Sequence, residues 1–239
     1  MGARGAAGAL ASVRRDIRKV ARPARAESNT WFFKTGPGEY GEGDRFLGVT
    51  LPQLRALARE YRDMPLKCIV SLLRSPWHEE RLLALFILVG QYARADARTR
   101  QTIHQLYLRN TRSINNWDLV DSSAAQIVGA HLKTRDRRVL RRLARSTSVW
   151  ERRIAMIATY HYIRQGDFTD ALAIAGLLRR DEHDLIHKAV GWMLREIGKR
   201  DRGAEERFLR RHARTMPRTM LRYAIERFPE RLRRTYMAR

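Results

Sequence analysis

One cysteine, Cys68, is all the chain offers for sulfur chemistry. A single thiol excludes any disulfide within the chain, a Cys-rich zinc site and a Cys-ligated cluster. Its place in the apolar run Leu66–Leu73 marks it as a small core residue, and the lack of pairing points weakly to a reducing compartment. Long hydrophobic runs are also missing. The longest, Leu82 to Gly90, is far too short to cross a bilayer. The first ten residues are Gly- and Ala-rich and lack the charged-then-apolar order of a secretion signal. Residues 1–9 are therefore expected to be a mobile tail, and the protein to be cytoplasmic. Acidic residues are scarce: 25 Asp+Glu stand against 48 Lys+Arg, for a formal net charge of +23. Only six of the basic residues are Lys, which GC-rich coding would explain; it would not explain the shortage of acids. Such an excess repels itself and suits a polyanionic partner, because each neutralised phosphate releases counterions.

Recognisable catalytic signatures are absent as well. There is no HExxH, no GxSxG and no phosphate loop. The segment Lys34–Asp44 is Gly-rich, but it lacks the Gly-Lys-Ser/Thr ending and carries Glu39, Glu42 and Asp44, which repel phosphate. It reads as a structured surface loop between helices. His183 and His187 lie four apart with no third ligand evident, so no metal site is expected and no cofactor is implied.

What the chain does have is helical period. Leu10, Val13, Ile17 and Val20 recur at three and four residues, and Leu51–Tyr61 opens with Pro52 in the first turn. From Trp77 onward a polar break is followed by an aromatic or apolar opener and then a helix. The openers Trp77, Trp117, Trp150, Leu185 and Met220 are separated by 40, 33, 35 and 35 residues. Second helices fall between them at 99–109, 137–145 and 169–179. That is the period of helical-hairpin repeats. The expected fold is all-α, with HEAT-like hairpins over about 50–230 stacked into a curved solenoid, a single domain over 1–239 with a concave DNA-binding cleft.

Helical wheels at 100° per residue select the candidate site residues. In a helix running from Trp117 to His131, Val120, Ala124, Ile127 and Val128 form the apolar arc. Asp118, Ser122, Gln126 and Gly129 lie opposite, and Asp121 flanks the arc one turn above Trp117. An acid in a first turn also answers the helix dipole, so capping competes with chemistry here. In a helix from Trp150 to Ile163, Arg153 points into the apolar arc and Arg152 out of it. An inward Arg needs an anion or a carboxylate. In Asp184–Gly198, Trp192 sits at the margin of the buried face, with Lys188 and Arg195 on its polar side. Each residue taken alone fits ordinary packing. Together they place one carboxylate, one guanidinium and two indoles on successive repeats of a basic protein.

At these residues the chain resembles the DNA alkylation repair family of the AlkD type. The matching stretches are Trp117-Asp-Leu-Val-Asp121, Trp150-Glu-Arg-Arg-Ile-Ala155 and Lys188-Ala-Val-Gly-Trp-Met-Leu-Arg-Glu196, joined by Phe33–Asp44 running into Phe46–Val49. The resemblance covers about Trp31 to Phe228. It implies a monomeric, monofunctional glycosylase that excises N3- or N7-alkylated purines from duplex DNA without base flipping. It also implies catalytic roles for Asp121, Trp117 and Trp192 and DNA contacts from Arg153. Lys188 and Arg195 join those contacts, with Phe32 as the loosest match, to an aromatic near the lesion. A non-catalytic DNA-binding repeat protein is the alternative, and a protein-interaction scaffold a third reading.

Overall fold

The computed structural model describes residues 3–238, with side chains from residue 7. Among the described residues the fold is all-helical; the sole extended pairing is an isolated bridge between Arg45 and Trp77. Contacts divide the chain into two compact units, Met1–Ser123 and Ala124–Arg239, and each is described by itself.

The first unit contains α1 (Ala3–Lys19), α2 (Pro23–Phe32), α3 (Leu51–Glu60), α4 (Leu66–Leu73), α5 (His78–Arg94), α6 (Ala97–Arg109) and α7 (Trp117–Asp121). Residues Ala3–Ala9, expected to belong to a tail, form the first turns of α1; Met1 and Gly2 lie outside the described residues. Val13 and Ile17 bury the inner face of α1 completely. Asp16, which accepts from the Tyr61 hydroxyl at 2.5 Å, and Arg14, which donates to buried Glu80 at 3.1 Å, dock its polar edge. Thr50 and Gln53 close a reciprocal cap on α3, with Pro52 in its first turn. The Cys68 thiol is buried, as its apolar run requires.

The Gly-rich segment folds on its own acids. Glu39 accepts from Gly36 N–H at 2.9 Å and Glu42 from Gly38 N–H at 3.0 Å. The amides a phosphate would need are occupied. Downstream, buried Glu79 accepts from the backbone of Leu47 and Gly48, both at 2.8 Å. Gly48 has φ +78°, and a Cβ there would strike the Arg22 carbonyl, so only glycine fits between α2 and α3.

The second unit begins with a π-helical stretch, Ala125–Gly129. It continues with α8 (Arg138–Ala144), α9 (Val149–Ala158), α10 (Tyr160–Ile163), α11 (Thr169–Leu178), α12 (Asp184–Gly198), α13 (Arg202–His212), α14 (Arg218–Ala224) and α15 (Glu230–Met237). α12 is its central element, packed on α9, α11, α13 and α14. Arg137 lies 3.9 Å from the centre of the Tyr162 ring and donates to Asp167 and Asp170, each at 2.8 Å.

The expected openers fall within two residues of the starts of α5, α7, α9, α12 and α14, and the second helices coincide with α6, α8 and α11. Two expected helices are interrupted. The stretch from Trp117 to His131 breaks at Ser122–Ser123, where the Ser123 hydroxyl donates to the Leu119 carbonyl at 2.5 Å. The stretch from Trp150 to Ile163 breaks at Thr159, whose hydroxyl donates to the Met156 carbonyl at 2.6 Å. Back-bonding hydroxyls of this kind bend helices. The π-helical stretch also turns Gly129, placed on the polar side by the wheel, into the interior against Ala158 and His161.

Candidate functional site

In the first unit the candidate site is built on α7, a helix of five residues that would not persist alone. Its start is fixed twice. Asn116 accepts from Trp117 N–H at 2.8 Å, and Asp118 accepts from Leu119 N–H at 2.8 Å. Leu119 and Val120 are buried, while Trp117 and Asp121, one turn apart, remain partly exposed. The carboxylate of Asp121 acts on the buried Tyr107 phenol. Burial raises that phenol's pKa, its hydrogen bond with Ser123 opposes the rise, and the Asp121 charge adds to it.

Aromatic rings wrap the start of α7. Phe33 stacks on Trp117 with centroids 5.5 Å apart and on Phe46 at 5.1 Å, and Phe32 meets Trp117 edge-on at 6.1 Å. Phe32 and Trp31 are exposed, so the aromatic cluster continues to the surface at the end of α2. Beneath it lies a charged cluster. His78, 2% exposed, is bonded through Nδ1 to Asp44 at 3.2 Å and through Nε2 to Asp118 at 2.8 Å. Asp44 also accepts from Arg81 at 2.6 Å and from Asn116 at 3.2 Å. Burial alone would depress the His78 pKa, but Asp118 and Asp44 outweigh it and hold the imidazole up at about 9, the cationic form at neutral pH. Burial likewise pushes Asp44 up, and its bonds to His78 and Arg81 bring it below the usual carboxylate range.

In the second unit, Arg153 is 5% exposed, inside the apolar arc as the wheel places it, and donates to the Leu185 carbonyl at 2.5 Å. Arg152 lies outside the arc and grips Asp181 at 2.7 and 3.3 Å. Trp192 sits half-buried at the margin of α12. Its indole N–H donates to Glu196 at 3.3 Å, and its ring lies 6.0 Å from Tyr160. Burial pushes Glu196 up, but its bonds to Lys199 and Arg200 hold it below the usual range. The two flanking cations are ion-paired: Lys188 with Asp184 at 2.7 Å and Arg195 with Glu226. His183 accepts from Leu185 N–H at 3.1 Å and the His187 ring bonds the Asp181 carbonyl, so both rings serve the start of α12.

Sequence reasoning selected Trp117 and Asp121 but missed what holds them. His78, Asp44, Arg81 and Asn116 form one cluster, and Asp118, on the side of the wheel opposite the apolar arc, belongs to it. A signal was present: His78-Glu79-Glu80-Arg81 sets four ionisable groups directly before the apolar run of α5, and all four are buried.

The fold and the site define an all-helical, strongly basic protein that presents a carboxylate and an indole one helical turn apart. The family model for DNA alkylation repair enzymes matches residues 13–228. The chain therefore belongs to the DNA alkylation repair enzyme family, an enzyme family of DNA repair, and the match begins upstream of the Trp31 boundary read from the motifs. Among solved structures it is similar to a "Predicted DNA alkylation repair enzyme from Enterococcus faecalis", at 16% identity and a TM-score of 0.67, covering 88% of this chain and 97% of that one. At that identity the likeness speaks for the fold. No curated protein matches the chain.

Proposed function

We propose that this protein is a monofunctional DNA glycosylase that releases N3- or N7-alkylated purines from duplex DNA without extruding the base. In this reading its helical hairpins are HEAT-like repeats that act as a monomer. The observation that carries it is the partial exposure of Trp117 and Asp121 on a helix whose other face is buried. Family membership supplies the context of alkylation damage.

The chemistry follows from the charge of the lesion. Alkylation at N3 or N7 makes the purine cationic, so when the bond from C1′ to the base nitrogen breaks, the base takes the bonding pair and leaves neutral. No general acid is needed. The sugar left behind has oxocarbenium character. Asp121, a carboxylate fixed on a short helix, stabilises that charge and orients a water; the water oxygen bonds to C1′ and its proton passes to Asp121 or to solvent. The faces of Trp117 and Trp192 stabilise the cationic sugar. Arg153, already oriented by the Leu185 carbonyl, holds a backbone phosphate. Lys188 and Arg195 exchange their carboxylate partners for phosphate, and Phe32 lies near the lesion beside Trp117. No lysine nucleophile takes part, so the strand stays intact after base release.

The test is incubation with a duplex carrying one N7-methylguanine, followed by separation of free base from intact DNA. Free 7-methylguanine with an unbroken abasic strand is the expected result. Salt-sensitive binding with no release from this duplex, from one carrying N3-methyladenine or from bulkier adducts would replace the reading with a DNA-binding protein that is not an enzyme.

A further inference from the structure

We propose that His78 is a positioning residue for α7: by bridging Asp44 and Asp118 it holds Trp117 and Asp121 at the angle the reaction requires. The kinetic consequence rests on the glycosylase reading; the positioning itself does not.

The geometry is that of a two-sided clamp. One imidazole nitrogen is 3.2 Å from Asp44, the last residue of the Gly-rich segment, and the other is 2.8 Å from Asp118 on α7. Phe33 at 4.8 Å and Phe46 at 4.9 Å pack together against the imidazole and back it on one side. Phe33 in turn stacks on Trp117. His78 therefore reaches Trp117 by two routes, through the carboxylate of the next residue and through the aromatic stack. Asp121 lies one turn beyond. A helix of five residues has too few internal hydrogen bonds to set its own direction, so its anchors set it.

The charge arrangement favours a doubly donating imidazolium. The groups facing the ring are the carboxylates of Asp44 and Asp118, the guanidinium of Arg81 and the amide of Asn116, which donates to Asp44. Two carboxylates facing a single neutral ring would leave one without a donor, since a neutral imidazole has only one N–H. Loss of the proton is thus expected to loosen one side of the clamp.

Two variants separate positioning from folding. His78→Gln keeps hydrogen-bonding capacity without charge, and His78→Phe keeps the ring packing without either bond. Each is run with enzyme in excess over a lesion duplex, recording the single-turnover rate constant, the amplitude and the duplex affinity. Positioning predicts a rate constant lowered by roughly 10²-fold, with amplitude and affinity preserved. An unchanged rate constant with a smaller amplitude would overturn it. A second arm uses the protein without DNA, following the carbon-bound Hδ1 resonance of the Trp117 indole, assigned through Trp117→Phe, as pH is raised. The resonance is expected to move with a midpoint near the His78 value of about 9 and to lose that step in His78→Gln. A wild-type resonance that stays fixed through this range would contradict the clamp. This arm needs no excision, so it stands even if the glycosylase reading fails or His78→Phe does not fold.

Discussion

Glu205 is buried on α13, its Oε1 has no hydrogen-bond partner among the described residues, and Gly198 leaves room for its carboxyl against α12. Burial pushes its pKa up to about 8; Arg202 and Arg195 oppose the rise and Glu206 reinforces it. A carboxyl whose folded pKa exceeds its unfolded value contributes stability that is complete below about 4.5 and is lost as pH rises through about 8. Glu205→Gln, which cannot ionise, is therefore expected to be more stable than the parent at pH 9 by roughly 1–3 kcal/mol. The gap should close in acid, as read from denaturant midpoints across pH. A parent as stable as the variant at pH 9 would contradict the assignment. His78 has the same sign: its contribution is complete below 6.5 and falls as pH rises through about 9. These two residues show what a wheel does not reveal. The placement of Trp117, Asp121, Arg153 and Trp192 at the edge or interior of a helix face was legible, because residue type and helical phase fix it. The partners of His78 come from segments 34 and 40 residues away in sequence, beyond the reach of any local period.

At the scale of the element, the breaks between helices were legible because polar residues and prolines mark them. The breaks within helices were not, because a single hydroxyl-to-carbonyl bond at Ser123 or Thr159 decides them while the apolar spacing continues unchanged. The consequence is concrete at Gly129. In an unbroken helix it would face solvent and tolerate alanine with a gain in helix propensity. In the π-helical stretch a Cβ would meet the Ala158 carbonyl and His161. Gly129→Ala is therefore expected to destabilise the protein by about 1–3 kcal/mol, measured by chemical denaturation. A neutral or stabilising result would restore the straight helix.

Across the whole molecule, several of the scarce acids stand in the interior. Asp44, Glu79, Glu80 and Glu205 are committed to buried positions, while Lys133, Arg135, Arg138, Arg141, Arg142 and Arg145 lie exposed on and around α8. The composition's imbalance is thus larger at the surface than in the chain. Duplex binding is expected to weaken linearly in log–log terms as salt rises, with a slope near −0.9 for each phosphate neutralised. A titration from low to physiological salt checks this, and an affinity indifferent to salt would point to a protein partner. Family and helical class were legible from the order of the three helical motifs, whereas the division into two compact units was not, because it falls inside a stretch of unbroken apolar spacing at Ser123 and Ala124. If the Asp121 carboxylate on α7 enables loss of a cationic purine, single-turnover release of 7-methylguanine should differ between the parent and Asp121→Asn, with binding to the same duplex measured alongside. Unchanged binding and a rate lower by roughly 10²-fold or more in the variant are expected; equal rates in the two proteins would remove Asp121 from the chemistry.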